Sequence, residues 1–128
     1  MSHRLPYHEG NCKNIHGHTY KIRVELEGEP DENGMVVDYY YIEQVVAPLI
    51  RRLDHSFVCD AGDRLMIDFL QKAGFKYNII ENYTTAENLA IYAVQEIAPG
   101  FRNLKNLSRL KIRIYETDDV YAEIGMDL

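Results

Sequence analysis

Two stretches of this chain alternate side-chain character at nearly every step. They are YKIRVELE, Tyr20 to Glu27, and RLKIRIYE, Arg109 to Glu116. A two-residue period places successive side chains on opposite faces of a strand. Tyr20, Ile22, Val24 and Leu26 therefore form one apolar row, and Leu110, Ile112 and Ile114 form another. VYAEIGM, starting at Val120, follows the second stretch across the short turn TDD and reads as its hairpin partner. Such a sheet has an apolar face that something else must cover.

The cover lies between the strands. GEPDENGM, Gly28 to Met35, is dense in turn formers and ends the first strand. Asp38 then stands as an N-cap before Ile42, Val45, Val46, Leu49, Ile50 and Leu53, which recur at helical spacing, with a kink expected at Pro48. Asp63 caps a shorter helix, RLMIDFLQKA, that Gly74 ends in a left-handed conformation. FKYNII reads as a brief strand. TTAENLAIYAVQEI opens with a capping box, Thr84 and Glu87, and is expected to stop at Pro99 and Gly100. Strands at both ends and helices between them predict an α+β fold, an antiparallel sheet covered on one face.

With 128 residues, 46% of them hydrophobic, the chain suits a single domain with a real core, spanning 1–128. The net charge of −6 argues against a broad nucleic-acid-binding face. No stretch reads as a signal peptide or a membrane span, so a cytoplasmic location is expected, where Cys12 and Cys59 remain thiols.

The chemistry concentrates in CKNIHGHTY, Cys12 to Tyr20. His16 and His18 share the parity of the apolar row, so their imidazoles leave one face and can chelate a metal. Gly17 between them lets a ligand or another backbone come close. Catalytic zinc sites usually take three protein ligands, and His3 is the natural third, with His8 in reserve. Cys12 has two readings: it completes a closed tetrahedral site, or it stands off the metal as a base, its thiolate favoured by Lys13. Cys59 reads as a packing residue. Asp54 and His55 could form an acid–base pair. Glu116 follows the inward parity of Ile112 and Ile114, so it needs either a basic partner or ring N–H groups of a ligand, such as an amino-pyrimidinone edge.

SHRL, C-x3-HGH before a strand, GMVVDY before a helix, LDH, TTAENLA and a late strand ending YE occur here in order. In these motifs the chain resembles the family of 6-pyruvoyl- and 6-carboxy-tetrahydropterin synthases over nearly its whole length. The three-residue gap between the cysteine and HGH resembles the bacterial 6-carboxy enzymes of queuosine biosynthesis. The resemblance implies the tunnelling fold, an antiparallel four-stranded sheet with two main helices on one face. In that fold subunits join into an oligomeric barrel, a trimer or hexamer, with active sites between them. It implies zinc on His3, His16 and His18, Cys12 as a proton-abstracting base, and Asp54 and His55 as a second relay that could serve a neighbour. Glu116, Thr84 and Thr85 would contact the pterin. The implied substrate is 7,8-dihydroneopterin triphosphate, with Arg4, Lys13, Lys21 and Arg23 as nearby cations for its phosphates. Two departures from the family pattern are an absent strand before His3 and a longer segment from Asp60 to Asn82. A pyruvoyl-forming enzyme, a non-catalytic zinc or pterin-binding module, and an assembly protein with a vestigial site are the rival expectations.

Overall fold

The computed structural model describes residues 1–128. In chain order it runs β1 (Ser2–His3), β2 (His16–Gly17), β3 (Lys21–Gly28), α1 (Tyr39–Leu53), β4 (Phe57–Asp60), α2 (Arg64–Ala73), β5 (Tyr77–Ile80), α3 (Ala86–Phe101), β6 (Leu107–Tyr115) and β7 (Tyr121–Asp127).

The alternating stretches pair with each other. β6 lies centrally between β3 and β7, both antiparallel to it, with Val24 opposite Ile112 and Ile112 opposite Ile124. The apolar row packs on α3 in a core that includes Leu110, Ile112, Ile114, Leu89, Ala93, Ile97 and Phe101. The opposite face carries cross-strand ion pairs: Lys111 donates to Glu25 at 3.2 Å and Arg113 to Glu123 at 2.8 Å. Burial on one face and charge on the other explain the two-residue period.

The expected four antiparallel strands are not found in one sheet. The antiparallel sheet has three, and the four-stranded sheet, ordered β2-β1-β4-β5, is mixed. β4 went unrecognised in the sequence because FVCD is buried throughout and shows no alternation. It runs parallel to β5, with α2 in the connection between them, and the two align Phe57 with Tyr77 through to Asp60 with Ile80. Phe57, Cys59, Met66, Ile67 and Leu70 form a second small core there. Burial pushes the Cys59 thiol up to about 11, as suits a packing residue. The long 60–82 segment thus contains a third helix and a strand.

Two helix boundaries differ from the sequence reading, and both belong to α3. Asp38 and Asp63 do cap α1 and α2, accepting from Tyr40 N and Met66 N, and Gly74 ends α2 at φ 70°. α1 contains Pro48 and ends at Leu53, the last apolar position of the helical spacing. α3 is capped by Thr85, which accepts from Asn88 N, so the Thr84 box does not form. It continues through Pro99 and Gly100 to Phe101. Gly100 has a packing reason to be there: a Cβ on it would lie 2.5 Å from Val45 Cγ1 of α1. Tyr41 of α1 donates to the Gly100 carbonyl at 2.8 Å.

Candidate active site

Strand register brings the first two histidines together. β1 and β2 are antiparallel with His3 directly opposite His16, a pairing that sets side chains about 5 Å apart. Gly17 permits it, since a Cβ there would sit 3.0 Å from the Met1 carbonyl oxygen. Of the two partners expected for Gly17, it is backbone that approaches. Between β2 and β3, His18 and Tyr20 fall beside them, with rings of His16 and His18 5.2 Å apart and of His18 and Tyr20 5.3 Å apart.

His3, His16 and His18 each offer one ligand atom, and these atoms lie within 4.8 Å of one another. Two rings are fixed from behind. His3 Nδ1 donates to the Thr84 carbonyl at 2.7 Å, and His16 Nδ1 donates to the Asn14 carbonyl at 2.8 Å. Each bond sets the tautomer and turns Nε2, with its lone pair, away from the backbone, the arrangement typical of metal-ligating histidine. His3 is almost wholly buried, at 2% exposure. That burial holds its pKa below the ordinary value, so the ring stays neutral. Three gathered imidazoles, with the rings of His3 and His16 oriented, are a donor set that fits a divalent metal such as zinc.

Cys12 does not contribute to this convergence. It sits half-buried in a short 3-10 turn, Asn11–Lys13, held where Leu5 N donates to its carbonyl at 2.8 Å. His8 is also outside the cluster, its Nδ1 accepting from Gly10 N at 2.9 Å.

Glu116 lies just past β6 and has no basic partner; its Oε1 accepts from the Tyr20 hydroxyl at 3.3 Å. Tyr20 also reaches His3, with its hydroxyl 3.0 Å from Nε2. Burial, followed by the Glu116 charge, raises the Tyr20 pKa, so the phenol stays protonated. Glu116 and His18 line one cavity of about 400 Å³ together with Thr19, Lys21, Thr117 and Asp118, and no apolar side chain.

Thr84 is fully buried behind the histidine cluster. Its hydroxyl donates to the Arg4 carbonyl at 3.2 Å and lies 3.1 Å from His3 Nδ1. Thr85 is half-buried and occupied as a helix cap. Asp54 and His55 pair at 2.9 Å but stand in the open, His55 with 92% of its side chain exposed. The His55 ring N–H holds the Asp54 carboxyl below its usual range. His55 turns the chain with φ 51°, a left-handed conformation uncommon outside glycine. Asp54 and Tyr20 line the same small cleft.

The expected phosphate-binding cations are mostly engaged. Arg4 grips Asp63 through two bonds of 2.6 and 2.8 Å, Lys21 pairs with Asp118, and Arg23 with Glu25 at 3.3 Å. Sequence reasoning missed the Arg4–Asp63 pair, which joins residues 59 apart, and the hydroxyl of Tyr20. The second had a visible signal: a tyrosine two residues after HGH, in a row otherwise made of Ile22, Val24 and Leu26.

The family model described as 6-pyruvoyl tetrahydropterin synthase matches residues 1–126. The chain belongs to that family. A Haemophilus influenzae protein named 6-carboxy-5,6,7,8-tetrahydropterin synthase is 32% identical over 131 residues, covering 96% of this chain and 90% of its own. A Rickettsia felis protein of the same name is 30% identical over 125 residues, covering 95% of this chain and 91% of its own. Among solved structures, the Plasmodium falciparum 6-pyruvoyl tetrahydropterin synthase superposes with a TM-score of 0.79 at 13% identity, over 99% of this chain and 90% of that one. At that identity the likeness speaks for the fold, which is α+β with three helices. None of those helices is long and apolar enough to cross a membrane.

Proposed function

We propose that the chain is a zinc-dependent pterin synthase that converts 7,8-dihydroneopterin triphosphate to 6-carboxy-5,6,7,8-tetrahydropterin, releasing acetaldehyde and triphosphate, within queuosine biosynthesis. One observation carries the reading. Three imidazoles, two of them oriented by hydrogen bonds, converge beside Glu116, a carboxylate without a basic partner, and His18 opens with it into one polar cavity. The names of the bacterial relatives support the 6-carboxy product over the 6-pyruvoyl one.

His3, His16 and His18 would hold the zinc. Bound there, the ion would act as a Lewis acid toward oxygens of the substrate side chain. Glu116 accepts two parallel N–H bonds from the amino-pyrimidinone edge of the pterin, a charge-assisted bidentate contact that fixes the ring. Cys12 takes a proton from a side-chain carbon as the general base. Asp54 orients His55, which moves the second proton. The exposure of His55 suits service to an adjoining subunit's Cys12, so the active form is a homo-oligomer, a trimer or hexamer. Thr84 acts by holding His3, while Thr85 presents the N-terminus of α3 toward the pterin. Lys13 is the unpaired cation of the four for the departing triphosphate. Elimination of triphosphate and cleavage of the carbon–carbon bond by one water give the carboxylate and acetaldehyde.

The test is product analysis. Zinc-loaded protein incubated with dihydroneopterin triphosphate should release acetaldehyde and yield the 6-carboxy mass. A 6-pyruvoyl mass without acetaldehyde refutes the assignment. Cys12→Ala should keep zinc and lose turnover; loss of zinc in that variant would make the cysteine a ligand and the module structural.

A further inference from the structure

Tyr20 stands between the metal ligands and the ring anchor. His3 Nδ1 carries a hydrogen, because the atom 2.7 Å from it is a carbonyl oxygen, which only accepts. In the neutral ring Nε2 then has a lone pair, and the Tyr20 hydroxyl lies 3.0 Å from it. The same hydroxyl is 3.3 Å from Glu116 Oε1, also an acceptor. A phenol has one hydrogen to give, so the two acceptors compete for it. Phenylalanine would pack as well in the row of Ile22, Val24 and Leu26; the hydroxyl is what links the two groups.

We propose that Tyr20 is a positioning residue that reports metal occupancy to Glu116. With His3 Nε2 engaged to a divalent cation, its lone pair would no longer be open to the Tyr20 hydrogen, and the hydroxyl would donate to Glu116 alone. Oε1 then has a fixed donor on one lone pair and keeps the other, so the carboxylate is held in place with both oxygens still able to accept from a ring edge. Metal and flat-ring ligand therefore favour each other, and by linkage the effect is reciprocal. This role rests on the pterin-synthase reading only in naming the ring that Glu116 receives.

Two measurements test it. The first needs no pterin. The infrared difference between zinc-loaded and metal-free protein should contain a shifted carboxylate stretch that is absent in Glu116→Gln and equally absent in Tyr20→Phe. If Tyr20→Phe keeps the band, or no longer takes up zinc, the hand-over is wrong. The second is fluorescence titration with unsubstituted pterin. The wild type should bind it about tenfold tighter with zinc than without, inside the usual range for coupled sites. In Tyr20→Phe that ratio should fall to about one. An unchanged ratio overturns the proposal. If pterin binds neither form of the wild type, the assigned function fails, while the infrared bands still decide the hand-over by themselves.

Discussion

Replacing Asp63 should reveal how the long 60–82 segment supports the histidine cluster. Asp63 does two jobs with one carboxylate that is only 4% exposed: it caps α2 at Met66 N, and it receives Arg4 through two bonds. Loss of a cap costs about 1 kcal/mol. Breaking a fully buried ion pair costs about 3–5 kcal/mol. The Arg4 side chain is 20% exposed and can turn its tip toward water, which reduces the second cost to about 2 kcal/mol. Asp63→Ala should therefore lose about 3 kcal/mol, or about 10 °C in Tm for a domain of this size. Asp63→Asn keeps an oxygen for the cap and for Arg4 but not the charge, and should lose about half as much. The pH profile separates the two roles. Arg4 holds the Asp63 pKa below its unfolded value of about 3.9. The ion pair's contribution is thus complete above that pH and is lost as pH falls through the lower folded value. Urea unfolding from pH 7 to pH 2.5 should show a shallower acid decline in Asp63→Asn than in the wild type. Parallel profiles, or an Asp63→Ala loss below about 1 kcal/mol, would refute this account of how α2 is fastened beside His3.

Other expectations follow from single contacts. Thr84→Val removes the hydroxyl but leaves the carbonyl that His3 Nδ1 uses, so it should cost about 1–2 kcal/mol while zinc is retained; complete loss of zinc by metal analysis would contradict the carbonyl as the main anchor. Gly100→Ala pushes a methyl group into Val45 and should cost about 1–3 kcal/mol by calorimetry, whereas an unchanged Tm would mean that α1 and α3 can separate freely. His3 has its pKa depressed by burial, so below about pH 6.5 the unfolded chain binds a proton that the folded chain refuses. Metal-free protein should accordingly lose stability as pH falls from 6.5, and His3→Gln should flatten that slope. Equal slopes would show that His3 is not responsible.

Much of the fold was legible because it follows from local periodicity. Alternation located β3 and β6, and caps at Asp38 and Asp63 located two helices. The misses share a cause. β4 is buried on both sides and has no period to read. α3 passes Pro99 and Gly100 because tertiary contacts with Val45 and Tyr41 outweigh local helix-breaking tendency. The capping position moved from Thr84 to Thr85 because Thr84 is taken up by His3 and Arg4.

The candidate site divides along the same line. His-x-His spacing ahead of a strand is a short-range pattern, and the alternation of strand geometry alone implies two imidazoles on one side. Nothing local says that His3 lies opposite His16, that the Thr84 carbonyl lies behind His3, or that Tyr20 reaches Glu116. The last two contacts join residues 81 and 96 positions apart. Contacts of that range come from strand register and from the packing of α3 on the sheet. The chain's own chemistry thus chose the ligand types, and the three-dimensional closure chose which ring nitrogens face inward and which carboxylate stands beside them.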